Sequence, residues 1–555
     1  MTIQRMLMPA LLIAAAAWNL SGQGLPVTSE RLLKAADEPG NWLMYSHTYD
    51  SWRFSNLNQI NAANVKNLHV KWLFQGRHVE KFETTPLVVN GIMYLTRPEN
   101  AIYALDAATG RQLWMYEYRN PPRTFNCCGK VNRGLAILGN TLFMNTLDMH
   151  VVAVDARSGH ELWKTEMFDY TAAGGYAAPG APLVVKDKVI VGMAGGERAV
   201  SGFLDAYDPK TGKRLWRFNT IPQPGEANFG TWAGDSWKTG GVTTWNNGSY
   251  DPETNTLFWG TGNPWPDYND DFRLGDNLYS CSVLALDPDT GKLKWFYQFT
   301  PHDLHDWDST QLPILIDTPF RGEAKKTLAW ANRNGFYYLL DRTNGKFLTA
   351  KAFVRQTWAK GFDDNGRPEL IPGNEPTSEG NDRVFPGVDG GANWMSHSYS
   401  PLTKYLYVFA REEHRIFSKN AVPHPTTDLP ATAPAGLANA GAYDPALGGA
   451  KTQAYGTPEE SWGKVIAVEP GTGAVKWEHK VLTPPWGGVM ATAGNLVFGG
   501  TLEGMLFALN ATTGERVWTF SSNGPVFASP ISYLANGKQM VSIAAGDLIV
   551  TFGLD

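Results

Sequence analysis

The sequence predicts an all-β fold, an eight-bladed β-propeller with tryptophan docking motifs between the blades. Three observations predict it. A short motif ending in Trp recurs along the chain, its copies are spaced as propeller blades are, and the composition is rich in Gly and Trp with few long apolar helical patterns. Gly numbers 57 of 555, Pro 35 and Trp 21. A typical chain has ~7% Gly, so this one is turn-dense, as an all-β protein is.

The motif appears as "YALDAATGRQLW" ending at Trp114, "VAVDARSGHELW" at Trp163 and "DAYDPKTGKRLW" at Trp216. It returns as "LALDPDTGKLKW" at Trp295, "IAVEPGTGAVKW" at Trp477 and "FALNATTGERVW" at Trp518. A degraded copy, "LLDRTNGKFLT", carries Thr349 in the Trp position, and "NLHVKW" ending at Trp72 is a half copy. Each copy has one grammar. An alternating strand ends in Asp, Glu or Asn, a turn with Gly at its positive-φ position follows, and a second strand carries the Trp. Apolar segments such as "TPLVVNGIMYLT" and "APLVVKDKVIVGM" precede the hairpins and read as inner strands. Four strands per repeat of about 40–50 residues is propeller spacing. A Trp at a fixed place in each repeat can dock on the next blade and bury a large apolar area. The wide gaps 216–295 and 349–477 imply insertions, and the second is expected to hold a further blade without a Trp signature.

Residues 1–24 break the pattern, with Arg5 followed by an apolar run and then small residues. That is the layout of a secretory signal peptide, too short for a membrane span. A lipid or membrane anchor is the alternative, but no lipobox cysteine follows. Residues 25–555 are read as the propeller, soluble after export to a periplasm, with a Pro/Ala/Gly-rich excursion at about 418–462. Net charge is −5, which gives no reason to expect nucleic-acid binding.

In a propeller, function gathers on one face, from loops at similar places in successive blades. "GMAGGERAVSG" offers Gly195, Gly196 and Glu197, and "GTGNPWPDYND" offers Asn263 one blade later. "TPHDLHDWDSTQ" carries His302, Asp303, His305, Asp306 and Asp308. So many ionisable groups are costly unless solvated, paired or metal-bound. Zinc is conceivable because His302 and His305 are close. There is, however, no H-E-x-x-H and no cysteine set, and Glu, Asn and Asp oxygens suit a hard cation such as Ca²⁺. Taken singly, each has a structural reading: a surface Glu, an Asn-Pro turn, an Asp308 that is solvated or paired with a Lys or Arg. Thr243 and Trp245 ("GVTTWNNG"), Arg333 ("NRNGF"), Asn393 ("GGANWMS") and Trp486 ("PPWGG") complete the candidates. "NCCGKVNRG" sets Cys127 beside Cys128. Neighbouring Cα atoms lie about 3.8 Å apart, closer than a usual disulfide span of ~4.4–6.8 Å. A bridge would be a strained eight-membered ring, and two reduced, packed thiols are as good a reading.

From about residue 40 onward the chain resembles the pyrroloquinoline quinone (PQQ)-dependent alcohol dehydrogenases of the methanol/ethanol type. The adjacent cysteines followed by V-N-R-G carry the resemblance, with the glycine–Glu, T-x-W, G-T-G-N and D-x-D segments. The resemblance implies a vicinal Cys127–Cys128 disulfide over one face of PQQ and Trp245 stacked on the other. It implies PQQ contacts from Glu83, Arg133, Ala194, Gly195, Gly196, Thr243, Arg333, Asn393 and Trp486. Glu197, Asn263 and Asp306 would be metal ligands, with Asp306 as catalytic base and Arg333 beside the reacting carbonyl. Asp308 matches lanthanide-using members, so a lanthanide is favoured over Ca²⁺. Two departures stand out: Pro179 where the family has a PQQ-contacting Thr, and His305 where relatives carry Trp.

The implied activity is metal-assisted hydride transfer from a small alcohol to PQQ. There is no C-x-x-C-H, so no covalent c-type haem is expected. Electrons would leave to an external acceptor such as a cytochrome c, and a homodimer is allowed. The rivals are a quinoprotein for sugars or polymeric alcohols, and a non-catalytic scaffold of the same repeat. A scaffold needs the docking tryptophans but not the cysteine pair, the Glu–Asn–Asp set or Arg333.

Overall fold

The computed structural model describes residues 26–76, 81–121, 128–170, 175–381, 383–419, 448–451 and 460–555. The repeat becomes eight antiparallel blades of four strands. Blades 1 to 7 span 87–117, 136–166, 183–219, 249–298, 314–352, 398–481 and 490–521. Blade 8 takes three strands from 531–553 and its outermost strand, His69–Gln75, from near the start of the chain. That strand pairs with Leu548–Gly553. A strand from the first part of the chain and three from its last part thus share one sheet and close the ring. Phe54–Ser55 adds a short parallel pair to Met490–Thr492 of blade 7.

Burial follows the strand order. In blade 3, Leu183–Val185, Lys188–Gly192 and Phe203–Tyr207 are buried throughout. The outermost strands alternate instead, as Glu161–Glu166 does in blade 2, because one face meets solvent.

The hairpin motif does two jobs. Asp106 Oδ1 accepts from the backbone N–H of Ala108 and Thr109, both at 3.0 Å. That closes the turn and leaves Gly110 at φ +72°. Gly110 is also where the previous blade arrives, since a Cβ built there would lie 2.5 Å from the Trp72 ring. The same holds for Gly159 on Trp114, Gly212 on Trp163, Gly291 on Trp216, Gly345 on Trp295 and Gly514 on Trp477. The indoles also hydrogen-bond across the junction. Trp72 Nε1 donates to Ala107 O at 3.2 Å, Trp216 Nε1 to Pro288 O at 3.0 Å and Trp518 Nε1 to Leu68 O at 3.2 Å. Where Thr349 replaces the Trp, Tyr337 takes over, its hydroxyl donating to Pro470 O of blade 6 at 2.8 Å.

One expectation is corrected. The 349–477 gap holds no additional blade: it contains blade 6, which ends with its own Trp477. The extra length is the 353–397 segment, with a small hairpin of Ala359–Phe362 and Pro368–Leu370, and the excursion inside blade 6. The sequence count overshot there because Thr349 and Trp72 already supply the seventh and eighth junctions. Most of the excursion, 420–447 and 452–459, lies outside the described residues, as do 1–25; Ile416–Lys419 pairs with Gly448–Lys451 at its base. Among the described residues no helix is long and apolar enough to cross a membrane.

Candidate active site

The candidate residues come from two places in each blade. Glu197, Asn263 and Arg333 follow the second strands of blades 3, 4 and 5: Lys188–Gly192, Thr256–Gly260 and Glu323–Ala331. Glu83, Arg133, Thr243, Trp245, Asp306, Asp308, Asn393 and Trp486 lie on segments leading into a first strand. The repeat converts a scattered list into a cluster.

At its centre Arg333 is buried and binds two carboxylates. Nη1 donates to Asp308 Oδ2 at 2.6 Å and Nη2 to Asp306 Oδ2 at 3.1 Å, while Nε donates to Val388 O at 2.8 Å. Asp308 is 2% exposed, so it does not turn outward into solvent; the pairing with a basic side chain that the sequence left open is what is seen, through Arg333, and its Oδ1 accepts from Asn263 N–H at 2.9 Å. Asp306 sits at φ +59°. Asp303 steadies the loop by accepting from Trp307 N–H at 3.0 Å.

Glycines bring these walls together. A Cβ at Gly262 would lie 2.4 Å from Asp308 Oδ1, and one at Gly196 2.5 Å from Asn263 Oδ1. At Gly195 (φ +120°) it would meet Gly175 O at 2.2 Å, and Ala194 N–H donates to Ala177 O beside it.

Around Arg333 four acceptor oxygens of the described residues have no hydrogen-bond partner although shielded from water: Glu197 Oε2, Asn263 Oδ1, Asp306 Oδ1 and Asp267 Oδ2. Burial pushes the carboxyl groups of Glu197, Asp267, Asp306 and Asp308 above the usual carboxylate range, and nearby carboxylates add to the rise. Arg333 opposes this at Asp306 and Asp308. Among the described residues, no three His, Cys, Asp or Glu side chains close into a ready metal cage. Like charges stand apart unless a cation draws them in.

Beside this cluster, Arg133 lies over two indoles, with Cζ 5.0 Å from the Trp245 ring centre and 4.7 Å from that of Trp394. Its Nη2 pairs with Glu83 Oε2 at 2.9 Å, and its backbone N–H donates to the carbonyl of Pro179 at 2.9 Å. Pro179 thus supports Arg133 through its backbone. Arg133 Nε and Thr243 Oγ1 are buried without partners. Asn393 is buried, donating to Asp389 O at 3.0 Å. Trp486 lies further round, under the Arg411 guanidinium at 4.3 Å.

The histidines part company. His302 Nδ1 contacts Gly275 O at 2.5 Å and its Nε2 faces Asp270. His305 stacks on Trp307 at 4.2 Å, edge-on to Phe417, with Nε2 at 3.0 Å from Asn374 O. Each is engaged with different partners, which removes the reason for a zinc pair. Cys127 lies outside the described residues; Cys128 is exposed and Cys281 buried. Sequence reasoning missed Asp267 and Trp394, although they stand in the two segments that supplied Asn263 and Asn393.

The profile of the family described as "PQQ: Glucose/ethanol/alcohol dehydrogenase, beta-propeller domain" matches residues 42–352 and 371–541. The quinoprotein alcohol dehydrogenase PedH of Pseudomonas putida is 37% identical, over 98% of this chain and 91% of that protein. The lanthanide-dependent methanol dehydrogenase of Methylacidiphilum fumariolicum is 36% identical, over 96% of this chain and 89% of that protein. The crystal structure of the quinohemoprotein alcohol dehydrogenase from Comamonas testosteroni superposes with a TM-score of 0.87 at 34% identity, covering 95% of this chain and 82% of that one. With the propeller, the residue cluster and these matches in agreement, the chain belongs to the PQQ-dependent alcohol dehydrogenase family of oxidoreductases.

Proposed function

We propose that this enzyme oxidises a small alcohol in a periplasm, with a hard cation beside PQQ and electrons passed to an external acceptor such as a cytochrome c. The signal-like residues 1–24 support the compartment. The observation that carries the site reading is the set of unpartnered acceptors, Glu197 Oε2, Asn263 Oδ1 and Asp306 Oδ1, next to the Asp306–Arg333–Asp308 pairing. Shielded acceptors without partners are costly, and an all-oxygen donor set offsets that cost by binding a hard cation. Glu197, Asn263, Asp306 and Asp308 would hold it; Asp308 accepts from Arg333, Asn263 N–H and the Trp245 side chain, which leaves it about one of its lone-pair sites for the ion. The excess of carboxylates favours a trivalent ion over Ca²⁺, and one relative is named for lanthanide dependence.

The residues toward PQQ fit equally well. Trp245 offers a half-buried ring, and Thr243 and Arg133 Nε offer unsatisfied polar atoms. Glu83, Ala194, Gly195, Gly196, Asn393 and Trp486 would complete the contacts, with a Cys127–Cys128 bridge opposite Trp245. When bound, PQQ supplies a two-electron acceptor and the cation Lewis acidity. Asp306 presents one free oxygen, Oδ1, to take the alcohol proton as general base, while Arg333 grips Oδ2 and fixes the carboxylate plane. Arg333 stays charged because Asp306 and Asp308 outweigh the effect of burial.

The test is metal-depleted protein loaded with PQQ and titrated separately with La³⁺ and Ca²⁺, following quinone absorbance and dye-linked alcohol oxidation, with Asp308→Ala in parallel. High activity with La³⁺, little with Ca²⁺ and loss in the variant are expected. Failure to bind PQQ would sink the enzyme assignment, and equal Ca²⁺ activity in both proteins would remove Asp308 from the metal site.

A further inference from the structure

Asp267 lies four residues past Asn263 in the same loop and is 3% exposed. Its Oδ1 accepts from Asn263 Nδ2 at 2.8 Å, and its Oδ2 has no hydrogen-bond partner. The loop is held from behind by Arg273, itself fully buried. Arg273 Nε donates to Pro266 O at 2.8 Å, and Nη2 to Asp267 O at 3.1 Å and to Asp303 O at 2.7 Å. One guanidinium therefore ties the Asn263–Asp267 loop to the segment that carries Asp306 and Asp308.

The contact helps to decide which way the Asn263 amide faces. Asp267 Oδ1 accepts from the amide nitrogen at 2.8 Å, closer than the carbonyl of Pro264, which accepts from it at 3.3 Å. The amide oxygen is then directed the other way, toward Gly196, whose Cβ would lie 2.5 Å from it, next to Glu197. A side chain in this position acts on an ion site by orienting a ligand, and it adds a negative charge beside that site.

We propose that Asp267 is a further acidic residue of the cation site: a positioning residue that turns the Asn263 oxygen toward the ion, and whose charge favours trivalent over divalent cations. It rests on the metal reading above. Asn263 would remain the ligand, with Asp267 acting through it and through the field.

The experiment titrates metal-depleted, PQQ-loaded full-length protein with Tb³⁺ and, separately, Ca²⁺ by calorimetry, in wild type, Asp267→Asn and Asp267→Ala. Asp267→Asn keeps an oxygen for the Asn263 amide but removes the charge. It is expected to weaken Tb³⁺ about tenfold and Ca²⁺ less, lowering the Tb³⁺/Ca²⁺ preference. Asp267→Ala removes both and should weaken both ions, Tb³⁺ by about 10–100-fold, the range for lost outer-shell partners. Unchanged Tb³⁺ affinity in Asp267→Asn, or equal weakening of the two ions, overturns the proposal while leaving the metal reading intact. Wild-type protein that takes up neither ion overturns both. If Asp267→Ala fails to fold, the isosteric Asp267→Asn alone carries the decision.

Discussion

Arg333 Nη1 lies 2.6 Å from Asp308 Oδ2, and the other arm of the same guanidinium reaches Asp306 at 3.1 Å. The arrangement joins the residue read as the base to the residue read as the lanthanide marker. Only a planar fork can serve both carboxylates at once. A lysine offers a single compact charge and cannot span them.

Arg333→Lys is therefore expected to lower kcat of the reconstituted enzyme by about 10²-fold or more, the range seen when one preorganised electrostatic group is lost. Arg333→Ala leaves two buried carboxylates without their cation, and breaking a buried pair this way costs about 3–5 kcal/mol. Steady-state kinetics and thermal midpoints check this. An Arg333→Lys enzyme with wild-type kcat would remove the bridging role.

The contribution of the buried site carboxylates to the pH dependence has a definite sign. Glu197, Asp267, Asp306 and Asp308 are held above the usual carboxylate range, by burial first. The folded, metal-free protein thus keeps protons that the unfolded chain releases, and stability falls as pH rises. The fall begins near the unfolded carboxylate values of about 4 and ends once the raised values are passed. His47 and His397, pushed down to about 4 by burial, work in the opposite sense within that window, so the carboxylate contribution is read by difference. Calorimetry of metal-depleted protein should show Tm falling more, or rising less, above about pH 4 in wild type than in Asp267→Asn. La³⁺ should reduce that difference and release protons on binding. Identical pH slopes in the two proteins would refute the reading.

Blade docking separates into strain and contact. Gly159 has φ +75° with a built Cβ 2.7 Å from the Trp114 ring, whereas Gly139 has φ +65° with nothing within 4 Å. Gly139→Ala should cost only the left-handed strain, about 1–2 kcal/mol. Gly159→Ala should cost a further ~1–3 kcal/mol because the indole is forced away. Denaturation midpoints compare the two, and equal losses would mean that Trp114 gives way freely.

The cysteine pair is tested by mass. Protein matured in a periplasm should carry a Cys127–Cys128 bridge and label one cysteine, Cys281, when alkylated after unfolding without reduction. Three labelled cysteines would contradict the bridge. Cys128→Ser should harm activity more than folding, since so short a loop restricts the unfolded chain little.

The fold was legible from the chain because propeller geometry is periodic. The D-x-x-T-G turn needs a glycine for φ, and the neighbouring Trp needs the same glycine for room, so one motif reports both the hairpin and the blade junction. The count of eight followed once Trp72 and Thr349 were admitted as copies, and the structure then left no place for an unsigned blade. The clustering of the candidates follows from the same periodicity, since Glu197, Asn263 and Arg333 stand at equivalent places in successive blades, whereas the roles proposed for them came from the family resemblance. Side-chain pairings were not legible. That Arg333 bridges Asp306 and Asp308, that Tyr337 takes over the junction where Trp is missing, and that the Asn263 amide meets Asp267 all depend on how the loops pack. Linear spacing carries no information about which side chain then meets which. Asp267 looked like one more acidic residue in a turn until burial removed its water and left Asn263 as its hydrogen-bond partner.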